Sequence, residues 1–271
     1  MLHFGPIALV LLALAAAAPA QTVEFRSLVP GLLEERLRLA TPKTAERFAR
    51  LRTLFEETGC TALSEQKVKG SKEPNLICGV PAGGAEPRRI IVGAHFDCAG
   101  GDGIIDNWTG AILLPSLAEF MRQKPRRHSF EFVGFAAEEK GLFGSQAYLK
   151  ALSPDERSKI VAVITMDSLG LTPTKIWVNS SDRELMRMAV VLARSMHLEI
   201  AGVNPDEVAT TDSMTFHKAG IPTLSLHSVT AETLKLINSK KDVWASLSWK
   251  DYYDTHRFVS ALLAYLDQTL P

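Results

Sequence analysis

Residues 89–95, Arg-Ile-Ile-Val-Gly-Ala-His, form the stretch of sequence that decides the fold. This short run is rich in β-branched residues, a pattern that predicts a buried strand. The strand ends at His95, and a glycine-rich segment at 100–103 follows it. We therefore expect the imidazole of His95 to lie at the carboxyl end of a buried strand.

Strands and helices alternate along most of the rest of the chain. Strands are predicted at 62–68, 75–80, 130–137, 159–166, 175–179 and 223–227, and helices at 41–58, 106–122, 182–196 and 249–268. This alternation predicts an α/β fold of three αβα layers, with a mostly parallel mixed sheet between helices. No internal repeat is present, and 271 residues fit one such domain or two small ones.

Polar side chains follow three of the predicted strands where each strand ends. His95 and Asp97 follow the first strand, Glu138 and Glu139 follow the next, and Asp167 follows a third. In open α/β sheets, ligands bind outside the carboxyl ends of the strands. The sequence therefore predicts a functional site at this edge, a stronger signal than any single motif in the chain.

The residue types at this edge suit a metal site. A metal-bound imidazole needs an acceptor for its second ring nitrogen, and Asp97 can supply one for His95. Adjacent carboxylates such as Glu138 and Glu139 repel each other unless a cation compensates them. One glutamate can then bind the metal while its neighbour takes the proton from an attacking water.

Asp106 opens the predicted helix at 106–122, directly after the glycine-rich segment. Taken alone, it is more often a helix N-cap than a ligand. The glycines let the backbone turn sharply beside the His95 strand, which favours a place for Asp106 at the same site.

Taken in order, these pieces resemble metallopeptidase family twenty-eight, the co-catalytic zinc aminopeptidases. The pieces are Gly93-Ala-His95-Phe-Asp97, Asp106-Asn107-x-x-Gly110, Glu138-Glu139-x-Gly141-x-x-Gly144-Ser145, Asp167-Ser-x-Gly170, Thr211-Asp212-Ser213-x-x-Phe216 and Gly220-Ile-Pro222. The resemblance covers roughly 41–266, and it implies the zinc-aminopeptidase (phosphorylase/hydrolase-like) type of fold.

The resemblance also implies roles for the residues. His95 and Asp167 would bind the first zinc, Glu139 the second, and Asp106 would bridge both. Glu138 would be the general base. Asp97 would orient His95. The substrate would be a peptide with a free N-terminus.

The chain departs from the family pattern at one ligand. The family has a histidine near the C-terminus in a segment that resembles 237–243 of this chain, but the matching residue here is Asn238. An amide oxygen is a poor zinc ligand beside an imidazole. Lys240 or Lys241 would fill the space of the second cation if it pointed inward, but both fit a solvated loop better.

Two other histidines bear on the missing ligand. His227 ends the strand at 223–227 and points to the same edge. It could be a substitute ligand, but a histidine in this position is more often a hydrogen-bonded residue of the pocket wall. His256 lies on the closing helix and is predicted to be at the surface. One zinc is therefore firmly predicted, against two in the family pattern.

These features favour an exported zinc metallopeptidase that removes N-terminal residues. The alternatives are a single-zinc hydrolase and a catalytically impaired peptide-binding homologue. Glutaminyl cyclase, which shares the fold by resemblance, ranks low because its ligand set includes the missing histidine.

The N-terminus predicts export. Residues 7–17 are apolar and Ala18-Pro19-Ala20 follows, as in a signal peptide cleaved after Ala20. We therefore expect a signal peptide at 1–20, an N-terminal extension at 21–40 and the catalytic domain at 41–271. The mature protein would be secreted or periplasmic, without stable membrane insertion.

Charge and cysteine content add to this picture. Lys plus Arg and Asp plus Glu both number 30, so no nucleic-acid partner is expected. In an oxidising compartment Cys60 and Cys78 can pair, although two separate buried thiols are a common alternative.

Overall fold

The computed structural model describes residues 23–83, 88–204 and 210–271, so the predicted signal peptide lies outside the described residues. The strands are β1 Ala62–Gln66, β2 Asn75–Val80, β3 Arg89–His95, β4 Ser129–Phe135, β5 Ile160–Met166, β6 Lys175–Trp177, β7 Ala201–Val203 and β8 Thr223–His227. The helices are α1 Pro30–Leu37, α2 Thr44–Glu57, α3 Thr109–Ala111, α4 Leu113–Arg122, α5 Phe143–Ala151, α6 Pro154–Ser158, α7 Arg183–Ser195, α8 Ser213–Lys218 and α9 Trp249–Thr269.

The eight strands form one mixed sheet in the order β1-β2-β4-β3-β5-β8-β6-β7. The four central strands, β4, β3, β5 and β8, are parallel to their neighbours within this group. The outer pairs β1/β2, β2/β4 and β6/β8 are antiparallel. The carboxyl ends of the central strands therefore share one edge, which is where the polar residues were predicted to meet.

Each face of the sheet carries its own core, because neighbouring residues of a strand point to opposite sides. Ile90 and Val92 of β3 belong to the larger core with residues of α1, α2, α4, α7 and α9. Ile91 belongs to the smaller core with Tyr148 of α5 and Phe216 of α8. Helices thus cover both faces, and the predicted three-layer αβα fold is confirmed.

The strand predictions at 75–80, 89–95 and 223–227 match the structure, whereas the helix predicted at 106–122 does not form as one element. Asp106 and Asn107 have non-helical backbone angles, and regular helix begins only after them. Asp106 makes no capping hydrogen bond to this helix, so the N-cap interpretation is wrong. The backbone breaks here because Asp106 and Asn107 are both turned into the interior, as described below.

The segment predicted as an N-terminal extension contains α1, whose Leu33 and Leu37 are fully buried in the larger core. His256 of α9 faces this segment. The surface position predicted for His256 is wrong, because the residue is 1% exposed and its Nε2 accepts a hydrogen bond from the Leu28 amide at 2.9 Å. An amphipathic pattern places a residue on a helix face, but it does not reveal which segment covers that face.

Cys60 and Cys78 form a disulfide between the loop after α2 and strand β2. Cys98 is a free thiol. No helix in the described part of the chain combines the length and hydropathy that a bilayer crossing requires.

Candidate metal centre

Four predicted ligands meet at the carboxyl edge of the parallel strands. His95 is the last residue of β3, Glu139 follows β4, and Asp167 follows β5. Asp106 lies in the irregular turn after β3. They line a cavity of about 440 Å³.

His95, Asp106 and Asp167 form a three-residue group suited to one metal ion. The Nε2 atom of His95 lies 3.1 Å from Oδ1 of Asp106 and 3.6 Å from Oδ1 of Asp167. The three ligand atoms all lie within 4.8 Å of one another. One imidazole and two carboxylates, with room for a fourth ligand on the cavity side, fit a catalytic zinc site.

Asp97 lies behind His95, as predicted. Its Oδ1 is 3.5 Å from Nδ1 of His95, which is buried without a hydrogen-bond partner among the described residues. The same carboxylate accepts hydrogen bonds from the amides of Glu138 at 3.0 Å and Glu139 at 3.2 Å. Asp97 therefore lies beside the His95 ring and ties the end of β3 to the segment that carries both glutamates.

The cavity holds an excess of carboxylates. Burial, with repulsion from Asp212 and other acids nearby, raises the pKa of Glu138 to about 10. Burial and the charge of Asp106 raise the pKa of Glu139 to about 7, and its Oε1 atom is buried without a hydrogen-bond partner among the described residues. Several carboxyl groups held this close favour a bound cation, because it relieves both burial and repulsion.

Asn107 connects the two carboxylate ligands. Its Nδ2 donates to the Met166 carbonyl at 2.8 Å, and its Oδ1 accepts from the amides of Gly110 at 3.1 Å and Ser168 at 3.2 Å. The peptide bond between Asp106 and Asn107 is cis. The Asn107 side chain thus holds the Asp106 turn against the end of β5, beside Asp167. The motif quoted from the sequence included Asn107 but gave it no role.

Asp242 holds the Asp106 turn from the opposite side. Its carboxylate accepts hydrogen bonds from the amides of Ile105 at 2.6 Å and Asp106 at 2.9 Å. The residue is fully buried, and burial raises its pKa to about 6. The signal in the sequence was its spacing from Asn238 in the family-like segment, which did not reveal this contact.

Asn238 lines the cavity together with Glu139 and Asp106. It has a left-handed backbone (φ 53°), and its backbone packs against Gly100 so closely that a Cβ there would lie 2.9 Å from the Asn238 carbonyl. Lys240 and Lys241 are exposed and do not line the cavity. Both positions agree with the solvated loop that the sequence favoured, and neither lysine fills the second cation position.

His227 lines the cavity wall but does not join either group of potential ligands in the described residues. Its Nδ1 accepts a hydrogen bond from the Val229 amide at 3.1 Å, and burial lowers its pKa to about 4. A neutral ring with an acceptor at Nδ1 carries its proton on Nε2. The Nε2 atom is buried without a hydrogen-bond partner among the described residues. In this arrangement His227 is therefore a residue of the cavity wall that lies outside both groups of potential ligands.

The chain is similar in sequence and in fold to known proteins. The chain is 25% identical over 168 residues to aminopeptidase YwaD of Bacillus subtilis, an alignment that covers 59% of this chain and 35% of that protein. The fold is similar to that of the LapA aminopeptidase of Legionella pneumophila, with a TM-score of 0.77, 19% identity, and coverage of 94% of this chain and 79% of that chain. It is equally similar to a glutaminyl cyclase from an Acidobacteriales bacterium, with a TM-score of 0.77, 17% identity, and coverage of 94% and 99%.

The chain spans half or less of the length of the first curated relatives it matches. The family model for peptidase family M28 matches residues 75–263, a region that includes all four predicted ligands. This match extends over well more than half of the 271 residues, and the chain therefore belongs to peptidase family M28.

Proposed function

We propose that this protein is a zinc-dependent aminopeptidase that works with one complete zinc site. The observation that carries this proposal is the convergence of His95, Asp106 and Asp167 within 4.8 Å, in a cavity that Glu138 also lines. Relatives named as aminopeptidases support a peptide substrate with a free N-terminus.

Zinc fits the three residues because imidazole and carboxylate together suit this ion. When bound, it would polarise the scissile carbonyl and lower the pKa of a water molecule. His95, Asp106 and Asp167 would hold it, and Asp97 would keep the imidazole of His95 in the tautomer that leaves Nε2 free to bind.

Glu138 is the general base of the proposed reaction. It is 7% exposed, and its backbone amide is held by Asp97. Its raised pKa reflects burial among other acids, and added positive charge in the cluster would lower it toward the range in which a base operates. The Glu138 carboxylate would take a proton from the attacking water and pass it to the leaving amine.

The second metal position of the family does not fit zinc equally well in this chain. Asp106 and Glu139 remain, but Asn238 supplies an amide in place of an imidazole, and His227 lies outside both groups of potential ligands in the described residues. Two carboxylates and an amide form an all-oxygen donor set, which zinc prefers less than sites with nitrogen ligands. We therefore derive no catalytic step from a second zinc.

Zinc titration and peptide hydrolysis together test the proposal. The purified chain should bind one zinc tightly and release amino acids from amino-acid anilides and from short peptides with free N-termini. Blocking the N-terminus by acetylation should abolish cleavage. A zinc-loaded protein without turnover on a broad panel of such substrates would contradict the proposal and favour the impaired peptide-binding homologue.

The same assay distinguishes an aminopeptidase from a glutaminyl cyclase. A cyclase converts an N-terminal glutamine to pyroglutamate and leaves the peptide bonds intact. Mass spectrometry of a glutamine-initiated peptide therefore distinguishes loss of ammonia from loss of a residue. Loss of ammonia alone would replace the aminopeptidase assignment.

Export to the periplasm or the medium is part of the proposal. The Cys60–Cys78 disulfide supports it, because structural disulfides persist mainly in oxidising compartments. Expression of the full chain in a bacterial host, followed by fractionation and N-terminal sequencing, should find a mature protein that begins at Gln21. An uncleaved cytoplasmic product would count against export.

A further inference from the structure

Arg47 of α2 is fully buried, which is unusual for an arginine. Its Nη2 donates to the carbonyls of Asp102 at 2.8 Å and Gly103 at 2.6 Å. Its Nη1 donates to the carbonyls of Phe96 at 3.3 Å and Asp97 at 3.4 Å.

These four carbonyls belong to one loop, residues 96–103, which we call the ligand loop. It connects His95 and Asp97 at the end of β3 with the turn that carries Asp106. The planar guanidinium of Arg47 reaches both ends of this loop at once, a geometry that a point-like ammonium does not reproduce.

A second buried group holds the residues just after the ligand loop. The Asp242 carboxylate accepts hydrogen bonds from the amides of Ile105 and Asp106, as described above, and the Asp242 carbonyl accepts one from the amide of Asp102 at 3.1 Å. Arg47 therefore donates hydrogen bonds to carbonyl oxygens of the segment between His95 and Asp106. Asp242 accepts hydrogen bonds from backbone amides of the same segment, from another side.

We infer that Arg47 is a positioning residue for the zinc site. By fixing both ends of the ligand loop, it sets the separation between the imidazole of His95 and the carboxylate of Asp106 before a metal ion binds. It also places a positive charge beside the acidic cluster. Burial lowers the pKa of Arg47 from its ordinary value, and the nearby charges of Asp242, Asp106 and Asp97 partly oppose that effect. This inference rests on the proposed zinc function.

A buried arginine also stabilises a fold, so the test has to separate positioning from general stability. Arg36 of α1 provides a matched control. It is 8% exposed, and its guanidinium bonds to Ser116 of α4 and not to the ligand loop. Replacing Arg36 should therefore lower stability without altering the zinc site.

The experiment compares zinc affinity in Arg47→Met, Arg47→Lys and Arg36→Met, measured on the full chain by competition with a chromophoric chelator well below each melting temperature. We expect Arg47→Met to weaken zinc binding by about 10–100-fold, the range found when an outer-shell partner of a ligand is lost. Arg47→Lys keeps the positive charge but loses the planar guanidinium with its several donors. Its zinc affinity should therefore lie between those of Arg47→Met and the parent. Arg36→Met should bind zinc like the parent.

A second variant perturbs the same contact without removing the arginine. Gly103 has a φ of 57°, and a Cβ at this position would lie 2.4 Å from Nη2 of Arg47. The same Cβ would lie 2.4 Å from Sγ of Cys98 and 3.1 Å from the Asp106 carbonyl, so Gly103→Ala is also made together with Cys98→Ala to remove the thiol contact. Both should displace the guanidinium and weaken zinc binding in the same direction, and if Arg47→Met does not fold, Arg47→Lys provides the test on the arginine itself.

Zinc affinity of the Arg47 and Gly103 variants equal to that of the parent would overturn the inference, even if their stability falls. If the parent binds zinc but hydrolyses no peptide, the proposed function fails while the affinities still decide the role of Arg47. If the parent binds no zinc, hydrogen exchange of the Ile105 and Asp106 amides decides: faster exchange in Arg47→Met than in Arg36→Met supports the inference, and equal exchange overturns it.

Discussion

The Nε2 atom of His95 lies 3.1 Å from the Oδ1 atom of Asp106, although the first residue ends a strand and the second lies in an irregular turn beyond a glycine-rich loop. No regular secondary structure connects the two. Their approach depends on side chains outside the ligand set, namely Asn107, Asp242 and Arg47. The predictions below test the site that this approach creates.

Replacing Glu138 with glutamine should abolish most turnover but leave zinc bound. The amide keeps the shape of the side chain and loses its ability to take a proton from water. We expect kcat to fall by about 10²–10⁴-fold, the usual contribution of a general base. Kinetics on an amino-acid anilide and metal analysis by mass spectrometry check both parts. Glu57→Gln, on the exposed side of α2, is the control and should behave like the parent.

Replacing Asn238 with histidine should raise the zinc content from one to two per chain. Asn238 lines the cavity with Asp106 and Glu139, so an imidazole there would complete a second set of ligands. Metal analysis after equilibrium dialysis measures the ratio. Lys240→His, on an exposed residue outside the cavity, should stay at one. An unchanged ratio in Asn238→His would show that this position does not reach the second metal.

Removing zinc should lower the melting temperature. A ligand that binds only the folded state adds about 2.7 kcal/mol when its free concentration is 100 times Kd. For a domain of this size, that corresponds to a shift of roughly 5–10 °C. Scanning calorimetry with added zinc and with chelator should show the shift in the parent. Asp167→Asn, which removes one ligand charge, should show little or no shift, and a full shift in this variant would contradict the assigned ligand set.

Acid should destabilise the fold partly through His256. Burial and the nearby charge of Arg36 lower its pKa to about 4 in the folded protein. Below its ordinary pKa, near 6.5, the unfolded chain takes up a proton that the folded protein excludes. The free energy of unfolding therefore keeps its full value above pH 6.5 and decreases as the pH falls toward 4. For His256 alone this decrease is about 3 kcal/mol at most.

Denaturant unfolding of the zinc-free protein between pH 7 and 4 measures this effect. His256→Gln, which can still accept the Leu28 amide, should show a shallower loss of stability. His217→Gln, at an exposed position of α8, should follow the parent curve. Parallel curves for His256→Gln and the parent would show that the buried imidazole is not the titrating group.

The type and order of the residues determined the strands whose ends carry the candidate ligands. The β-branched run at 89–95 and the polar residues after each strand predicted the sheet, its functional edge, and the four candidate ligands. These features are local, because a strand and the residue that follows it are encoded by adjacent positions. The family resemblance supplied their roles, which geometry alone does not label.

The supports of the site could not be predicted in the same way. Arg47 lies on the same face of α2 as Leu51 and Phe55, which follow it at intervals of four residues. An arginine at this position is compatible with many structures, so the pattern does not predict its partners. Its contacts are carbonyl oxygens, which every residue possesses, so the side chains of the ligand loop carry no signal of the partner. The burial of His256 likewise depends on a segment far away in the sequence.

The sequence by itself determined the fold class and the edge at which the site lies, and its resemblance to the family predicts the loss of one imidazole at Asn238. Only the tertiary structure decided that His227 lies outside both groups of potential ligands in the described residues, that Asp106 is turned into the cavity, and that Arg47 and Asp242 hold the Asp106 turn. The physical reason is that strand burial and ligand chemistry follow from residue type, whereas the hydrogen bonds of a buried loop depend on which distant groups the completed fold brings beside it.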